Sequence, residues 1–557
     1  RRFTGAVLTN PMIGLILKKS SLVLLALNFA LTFSNSGHSE APNLSEQCAQ
    51  LLNLSLHETK IKLAEITPKN FITPSTATSQ YFPNPVSVEK PFCRVAGTIA
   101  PTINFEVWLP SNNWNGRLHG HGNGGVTGSI SYWALKASVN KGFATVSSDM
   151  GHKGGFIDFS FAIEDNSKVI DWGYRAAHEM TTTAKAIIAA YYGQKPQYSY
   201  FSGCSGGGRQ GLMEAQRYPE DYDGILVGDP TSNFTRLITG GRLWVQLAML
   251  GNGTKSSYIP ADKIPLIAAA VNSHCDTLDG IADGVIEDPR HCQFKPESIQ
   301  CDSVDKQDCL TSAQVKALNK IYAGATDSKG QQLYPGYEPG GELDGWQHYI
   351  SGSEPFEARQ WNYARNFLRG FVFEDMNYNP LNFDYDQDVA LVDNKLFMGE
   401  RLASIINADN PDLRPFKKAG GKLIHYHGWS DPGVAPQSSV DYYEKVTAIL
   451  GEGQPNRFSA LGKTQDFYRL FMVPGMQHCT GGPGTDNFDA LSSLQQWVEK
   501  DQAPEKITAT RLNSDGSVIR SRPLCPYPRI AKYRGQGDKT HEASFLCVLA
   551  APPHNNE

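Results

Sequence analysis

Tyr198-Ser199-Tyr200-Phe201-Ser202-Gly203-Cys204-Ser205-Gly206-Gly207-Gly208-Arg209 runs an aromatic, strand-like stretch into a glycine cluster, and Gln210 to Ala215 then read as helix. Within it, Gly203, Ser205 and Gly207 form G-x-S-x-G. A serine held at a sharp strand-to-helix turn needs small neighbours so that the backbone can pass, and its Oγ then stands at the carboxyl edge of a sheet. The first N–H groups of the following helix would face charge developing on a reacting carbonyl. The competing reading is a glycine-rich turn with an incidental serine. The flanking strand and helix select the first.

This turn demands strands alternating with helices, and the rest of the chain supplies them. Val95 to Leu109 alternates as strands do, and Arg117 to Gly125 reads as a glycine-rich loop at a strand end. Phe143 to Asp149 and Ile225 to Gly228 read as buried strands, with Asp171 to Tyr192 helical between them. The pattern predicts a parallel sheet covered on both faces, an α/β architecture. The rhythm breaks down over roughly 233–415, which is rich in aromatics, glycine and acidic residues, and resumes at Gly421 to Gly428 and Tyr468 to Val473. We therefore expect a first core part over 40–232, an inserted lid over 233–415 and a second core part over 416–557.

Residues 1–39 read as a targeting segment. Lys18-Lys19 precede the apolar run Leu22 to Leu27, which extends through Phe33 before small polar residues. That is the layout of a secretory signal, with Met12 as its expected start and a single membrane anchor as the alternative. The expected location is secreted or periplasmic, without stable membrane association. A net charge of -5 and no basic run interleaved with aromatics argue against nucleic acid. Ten cysteines in an exported chain point to disulfides. Local spacing favours Cys275 with Cys292 and Cys301 with Cys309.

A serine nucleophile needs a base, and the base an orienting carboxylate. Gly428-Trp429-Ser430-Asp431 follows one late strand and Pro474-Gly475-Met476-Gln477-His478-Cys479 follows the next. The order Ser205, Asp431, His478 is that of nucleophile, acid and base in the α/β-hydrolase fold. His119, His121, His425 and His427 read as shell residues, and a zinc site made from them lacks the required ligand framework. The oxyanion donors expected are the N–H groups of Gly206 and, from the Gly122 to Gly125 loop, Gly125. If Ser205 and His478 touch, Cys204 and Cys479 fall within bridging range.

Gly203-Cys204-Ser205-Gly206-Gly207-Gly208-Arg209, His427-Gly428-Trp429-Ser430-Asp431, the run Val473 to Gly484 and Arg522 to Pro528 together resemble the tannase/feruloyl esterase family. The resemblance implies an α/β-hydrolase fold with a large inserted lid domain and a bridge between Cys204 and Cys479. It also implies the pairings Cys48 with Cys93 and Cys525 with Cys547. The acidic turn Cys275 to Asp288 departs from an EF-hand, lacking acidic side chains at the third and fifth positions, and by itself reads as a solvated loop. The resemblance instead implies a structural Ca2+ held by Asp276, Asp279 and Asp283 with the carbonyls of Ile281 and Val285, and no organic cofactor.

The activity implied is hydrolysis of a small aromatic ester, derived from a polysaccharide or polymer: feruloyl, gallate or mono(hydroxyethyl) terephthalate. Trp361 and Arg365 in the aromatic stretch Trp346 to Phe373 are candidates for stacking on the acyl ring and pairing with a carboxylate, or else ordinary lid core. Val434 stands where the terephthalate-type members carry an aromatic, which tilts the expectation toward a feruloyl-type esterase. An acyltransferase and a non-catalytic binding member are the readings from other classes.

Overall fold

The computed structural model describes residues 43–76, 85–251, 255–343, 345–454 and 456–551. The targeting segment expected at 1–39 lies outside them. Nine strands build the central sheet: β1 Thr59–Ile66, β2 Phe92–Ile99, β3 Ile103–Pro110, β4 Arg117–His121, β5 Ala144–Ser148, β6 Tyr198–Cys204, β7 Gly224–Gly228, β8 Lys422–Gly428 and β9 Tyr468–Val473. Their spatial order is β1-β2-β3-β5-β4-β6-β7-β8-β9. The helices used below are α1 Tyr132–Asn140, α2 Ala176–Tyr192, α3 Gly206–Arg217, α4 Arg359–Phe367, α5 Gln437–Leu450 and α6 Ala490–Lys500.

The sheet is α/β but mixed, which corrects the purely parallel expectation. β1, β2, β3 and β5 pair antiparallel in turn, and from β5 onward every pairing is parallel. The reason is local: only Ala100 to Thr102 separate β2 from β3, too short for a crossover, so the chain must return as a hairpin. Strand β1, which carried no sequence expectation, is an edge with alternating exposure, whereas β5 and β9 are buried at every residue. Strands covered on both faces read as continuous apolar or small runs; β5 does, and β9 does apart from Arg469, which donates to the carbonyls of Gln465 and Pro504.

α3 has few apolar residues, yet Gly206 to Ala215 are all buried. Arg209 makes this possible. It is fully buried, donates to the carbonyls of Trp172, Gly173 and Ile406, and lies 4.1 Å from the Trp172 ring centroid. A buried guanidinium is costly unless it is bonded; here Nη1 and Nη2 are bonded while Nε is not, and the bonds tie the helix behind Ser205 to two other segments.

The chain leaves the sheet after Gly228 and returns at Lys422 on the neighbouring strand, with Gly224 opposite Lys422 and Gly228 opposite Tyr426. The intervening segment packs in two ways. Leu237, Ile264, Ile267, Leu318 and Trp346 belong to a separate apolar cluster, while Trp361, Phe367, Phe371 and Ile405 join the main core beneath the sheet. Among the described residues the ten cysteines pair as Cys48–Cys93, Cys204–Cys479, Cys275–Cys292, Cys301–Cys309 and Cys525–Cys547. No helix among them is long and apolar enough to cross a membrane.

Candidate active site

Ser205 sits between β6 and α3 at φ 61° and ψ -120°, a backbone region that L-residues adopt only where surroundings enforce it. Two close approaches enforce it. A Cβ on Gly203 would lie 2.3 Å from the Gly207 carbonyl, and one on Gly206 would lie 2.4 Å from the Gly125 carbonyl. The backbone N–H of Ser205 donates to Gly228 at the end of β7, at 2.9 Å. The turn is thus fastened to the next strand.

The loop after β9 brings His478 Nε2 to 2.8 Å from Ser205 Oγ, and His478 Nδ1 lies 2.7 Å from Asp431 Oδ2. Asp431 is fixed in turn by the N–H groups of Gly433 (2.6 Å) and Val434 (3.0 Å) on its other oxygen. Burial alone would push its carboxyl up; His478 and His427 outweigh burial and hold it below the usual carboxylate range. The three side chains expected from chain order therefore meet in one hydrogen-bonded line. Such a line can draw a proton off a serine hydroxyl and stabilise the resulting imidazolium.

Cys204 and Cys479, next to Ser205 and His478, are bridged with Cα atoms 6.1 Å apart. The cross-link spans 275 positions and holds the two loops against each other.

A cavity of about 520 Å³ opens over Ser205. Its wall includes Gly122, Asn123 and Gly124, aromatic surface from Trp133, Phe156, Tyr349 and Tyr426, aliphatic surface from Leu226 and Leu491, and Arg359. The N–H of Gly206, first in α3, has no partner within its helix. Gly125, expected as the second oxyanion donor, has φ +57° and packs between Phe156, Tyr363 and Gly206, one residue beyond the wall formed by Gly122 to Gly124. The Asn123 N–H is already given to Gln210 Oε1.

Trp361, Arg365 and Val434 do not line this cavity, which corrects their assignment to substrate. Trp361 is buried edge-on against Phe356, with centroids 5.0 Å apart. Arg365 Nε donates to Asn366 Oδ1. Val434 is buried in the cluster containing Trp346 and Ile350. The reason is helical geometry: Arg359 opens α4 at the cavity, and six residues on, Arg365 lies about 9 Å farther along the axis. Arg359 stacks on Tyr349, 4.5 Å from its ring centroid, and Tyr349 meets His478 edge-on at 6.1 Å.

The four histidines expected as shell residues are buried. Ser138 Oγ bridges His119 Nδ1 and His121 Nε2, both at 2.8 Å, and His119 Nε2 reaches Ser202 Oγ. Burial holds His121 down to about 3 and His119 well below its usual value, so both are neutral. His425 and His427 share Ser439 Oγ at 2.9 and 2.6 Å. His427 Nε2 lies 3.1 Å from Asp431 Oδ2. Asp229, fully buried beside it, was missed altogether. The signal available was an acidic residue directly after an apolar strand, and it reads equally well as a Gly-Asp-Pro turn.

In the acidic turn, Asp276 Oδ1 accepts from the N–H groups of Asp283 and Gly284, and Asp279 Oδ1 accepts from Ile281 N–H. Asp283 Oδ2 faces Arg522 at 2.7 Å and Arg520 at 3.2 Å. Burial pushes the Asp279 carboxyl up to about 6 against the Ile281 hydrogen bond, with the charges of Asp283 and Asp276 adding to the rise.

The sequence profile described as Tannase and feruloyl esterase matches residues 86–548. The chain belongs to this family. As a tannase-family protein it is a carboxylic ester hydrolase. An uncharacterized esterase of Xanthomonas campestris pv. campestris is 37% identical over 535 residues, covering 90% of this chain and 91% of that one. The mono(2-hydroxyethyl) terephthalate hydrolase of Piscinibacter sakaiensis is 33% identical over 560 residues, covering 88% of this esterase and 89% of its own length. The crystal structure of feruloyl esterase B from Aspergillus oryzae superposes with a TM-score of 0.79 at 30% identity, covering 91% of this esterase and 100% of that chain.

Proposed function

We propose that this protein is an exported serine esterase that hydrolyses carboxylic esters of aromatic acids, with a feruloyl-type acyl group as the first choice. The observation that carries the reading is the line Ser205–His478–Asp431 opening onto a cavity walled by aromatic side chains. Ser205 Oγ attacks the ester carbonyl as His478 Nε2 takes its proton. Asp431 holds the imidazole in the required tautomer and stabilises its positive charge. The Gly206 N–H at the start of α3, with a second N–H from the Gly122 to Gly125 loop, holds the oxyanion. His478 then returns the proton to the leaving alcohol, and water repeats the sequence on the acyl-enzyme. Five disulfides and relatives that include fungal feruloyl esterases support an exported protein.

The segment between β7 and β8 acts in this reading as a lid, since Tyr349 and Arg359 from it complete the cavity wall. The donor types of its acidic turn suit Ca2+: Asp276, Asp279 and Asp283 put three carboxylates on one loop, and the Asp279 carboxyl is raised by burial and by its acidic neighbours, a repulsion that a cation relieves. Asp276, Asp279 and Asp283 with the carbonyls of Ile281 and Val285 would hold the ion, which supplies positive charge that stiffens the loop. Chelation should lower the melting temperature by roughly 2–5 °C, with readdition of Ca2+ restoring it. Asp279→Asn should remove the response to chelator; an unchanged melting curve after demonstrated metal loss would count against the site.

One observation favours a second substrate. Arg359 brings a guanidinium to the cavity wall, which suits an acyl ring bearing a free carboxylate, as in a terephthalate monoester. The deciding experiment is a hydrolysis panel on wild type and Ser205→Ala with methyl ferulate, methyl gallate, mono(2-hydroxyethyl) terephthalate and a short nitrophenyl ester. The highest serine-dependent kcat/KM is expected on methyl ferulate. A preference for the terephthalate monoester that Arg359→Leu abolishes would establish the second reading in its place.

A further inference from the structure

Behind the proton line lies a second acid. Asp229 follows β7 directly, is fully buried, and has φ 38°, a left-handed conformation costly for a residue with a Cβ. Its backbone N–H donates to the Tyr426 carbonyl at 2.9 Å, and its Oδ1 accepts from the Gly428 N–H at 3.0 Å, so two bonds from β8 lock its orientation. One of its carboxylate oxygens, one of Asp431's and a ring nitrogen of His478 lie within 4.8 Å of one another. His427 Nε2 is 3.7 Å from Asp229 Oδ1 and 3.1 Å from Asp431 Oδ2, placing one imidazole between the two acids.

The remaining oxygen, Oδ2, faces Cys204 Sγ at 3.4 Å. That sulfur is bridged to Cys479 and has no hydrogen to give. This contact is therefore a hydrogen bond only when the carboxyl itself carries the proton. Asp229 is absent from the cavity wall, so it does not meet substrate.

We propose that Asp229 is a positioning residue for the hydrolysis: a second buried carboxyl that, acting through His427 and Asp431, sets how readily His478 takes the Ser205 proton. The groups facing it are Cys204 from β6, Tyr426, His427 and Gly428 from β8, and Asp431 and His478 from the loops after β8 and β9. Burial pushes its carboxyl up to about 7, with His427 pulling it down, Asp431 pushing it up and His478 pulling it down again. It thus changes charge near neutrality, where an imidazole base works. An ionised Asp229 favours the imidazolium form of the cluster, raising the basicity of His478. Activity requires His478 neutral in the free enzyme and charged in the transition state. Removing the acid therefore moves the acid limb of the pH profile down and lowers the plateau.

The proposal rests on the roles given above to Ser205, Asp431 and His478, and the two are tested apart by including Ser205→Ala. Asp229→Asn retains an oxygen for the Gly428 N–H. In a protein that Ser205→Ala inactivates, Asp229→Asn should shift the acid limb of kcat/KM to lower pH by about one unit and reduce kcat about tenfold, with KM unchanged. His427→Gln should give a shifted limb too, and adding Asp229→Asn to it should change little more, the signature of residues acting through one another. Imidazole proton resonances of His478 should titrate about one unit lower in the Asn variant. If the variant melts lower but keeps the wild-type pH limb and His478 midpoint, Asp229 serves only the fold and the proposal fails. If Asp229→Asn and His427→Gln add independently, the route through His427 fails. If Ser205→Ala remains active, it is the proposed function that fails.

Discussion

Ser205→Ala should lower kcat by at least about a thousandfold on every ester the wild type hydrolyses, with the fold intact. The effect is this large because no other nucleophile can take over the position. Ser205 Oγ is the atom 2.8 Å from His478 Nε2, and the neighbouring sulfur of Cys204 is bridged. The structural effect is small because alanine meets the same backbone demand at φ 61° as serine, and what is lost is one hydrogen bond at the floor of a cavity. Residual turnover would come from binding and the oxyanion donors alone. Paired kinetics and melting curves check the expectation; activity within tenfold of wild type in a folded variant would place the nucleophile elsewhere.

The second large effect concerns the bridge beside the reacting groups. Replacing Cys204 and Cys479 together by alanine should cost roughly 2–5 kcal/mol of stability, because the bond closes a very long loop in the unfolded chain. It should also lower kcat by roughly 10–100-fold at temperatures where the variant is still folded. Cys479 has φ 67°, a conformation the bridge helps impose on the loop carrying His478. Once released, that loop can relax and carry the imidazole away from Ser205 Oγ. Removing Cys301–Cys309, which spans 8 positions far from Ser205 in sequence, is the control and should leave kcat alone. Calorimetry and steady-state kinetics on both variants separate the two contributions. Equal kcat in all three proteins would reduce the bridge to a stability element.

The features legible in the sequence were those written locally. Gly203, Ser205 and Gly207 announce a turn because each must be small where backbone passes backbone, and the later strands announce themselves by apolar runs ending at Gly428 and Val473. The order of Ser205, Asp431 and His478 then follows from topology. What escaped the sequence depends on contacts between distant segments. Arg359 and Tyr349 reach the cavity from a helix start and a separate turn far from Ser205 in sequence, so the choice of Trp361 and Arg365 from the same stretch was guided by residue type, and helical geometry overruled it. Val434 was chosen by position beside Asp431, yet it is its backbone N–H that matters there, the side chain turning into the core. Asp229 was hidden because a buried charge looks the same in a sequence as an exposed one.

The adjacency of β7 and β8 also governs the order in which the sheet can be completed during synthesis. These strands are parallel neighbours inside the finished sheet, but about 190 residues separate them along the chain. At typical elongation rates of about 5–20 residues per second, that interval lasts roughly 10–40 s. Throughout it the nascent sheet ends at β7, with Ile225, Leu226 and Val227 on an unpaired edge able to recruit a strand from another chain. The strand that leads to Asp431 is thus also the one that covers this exposed border.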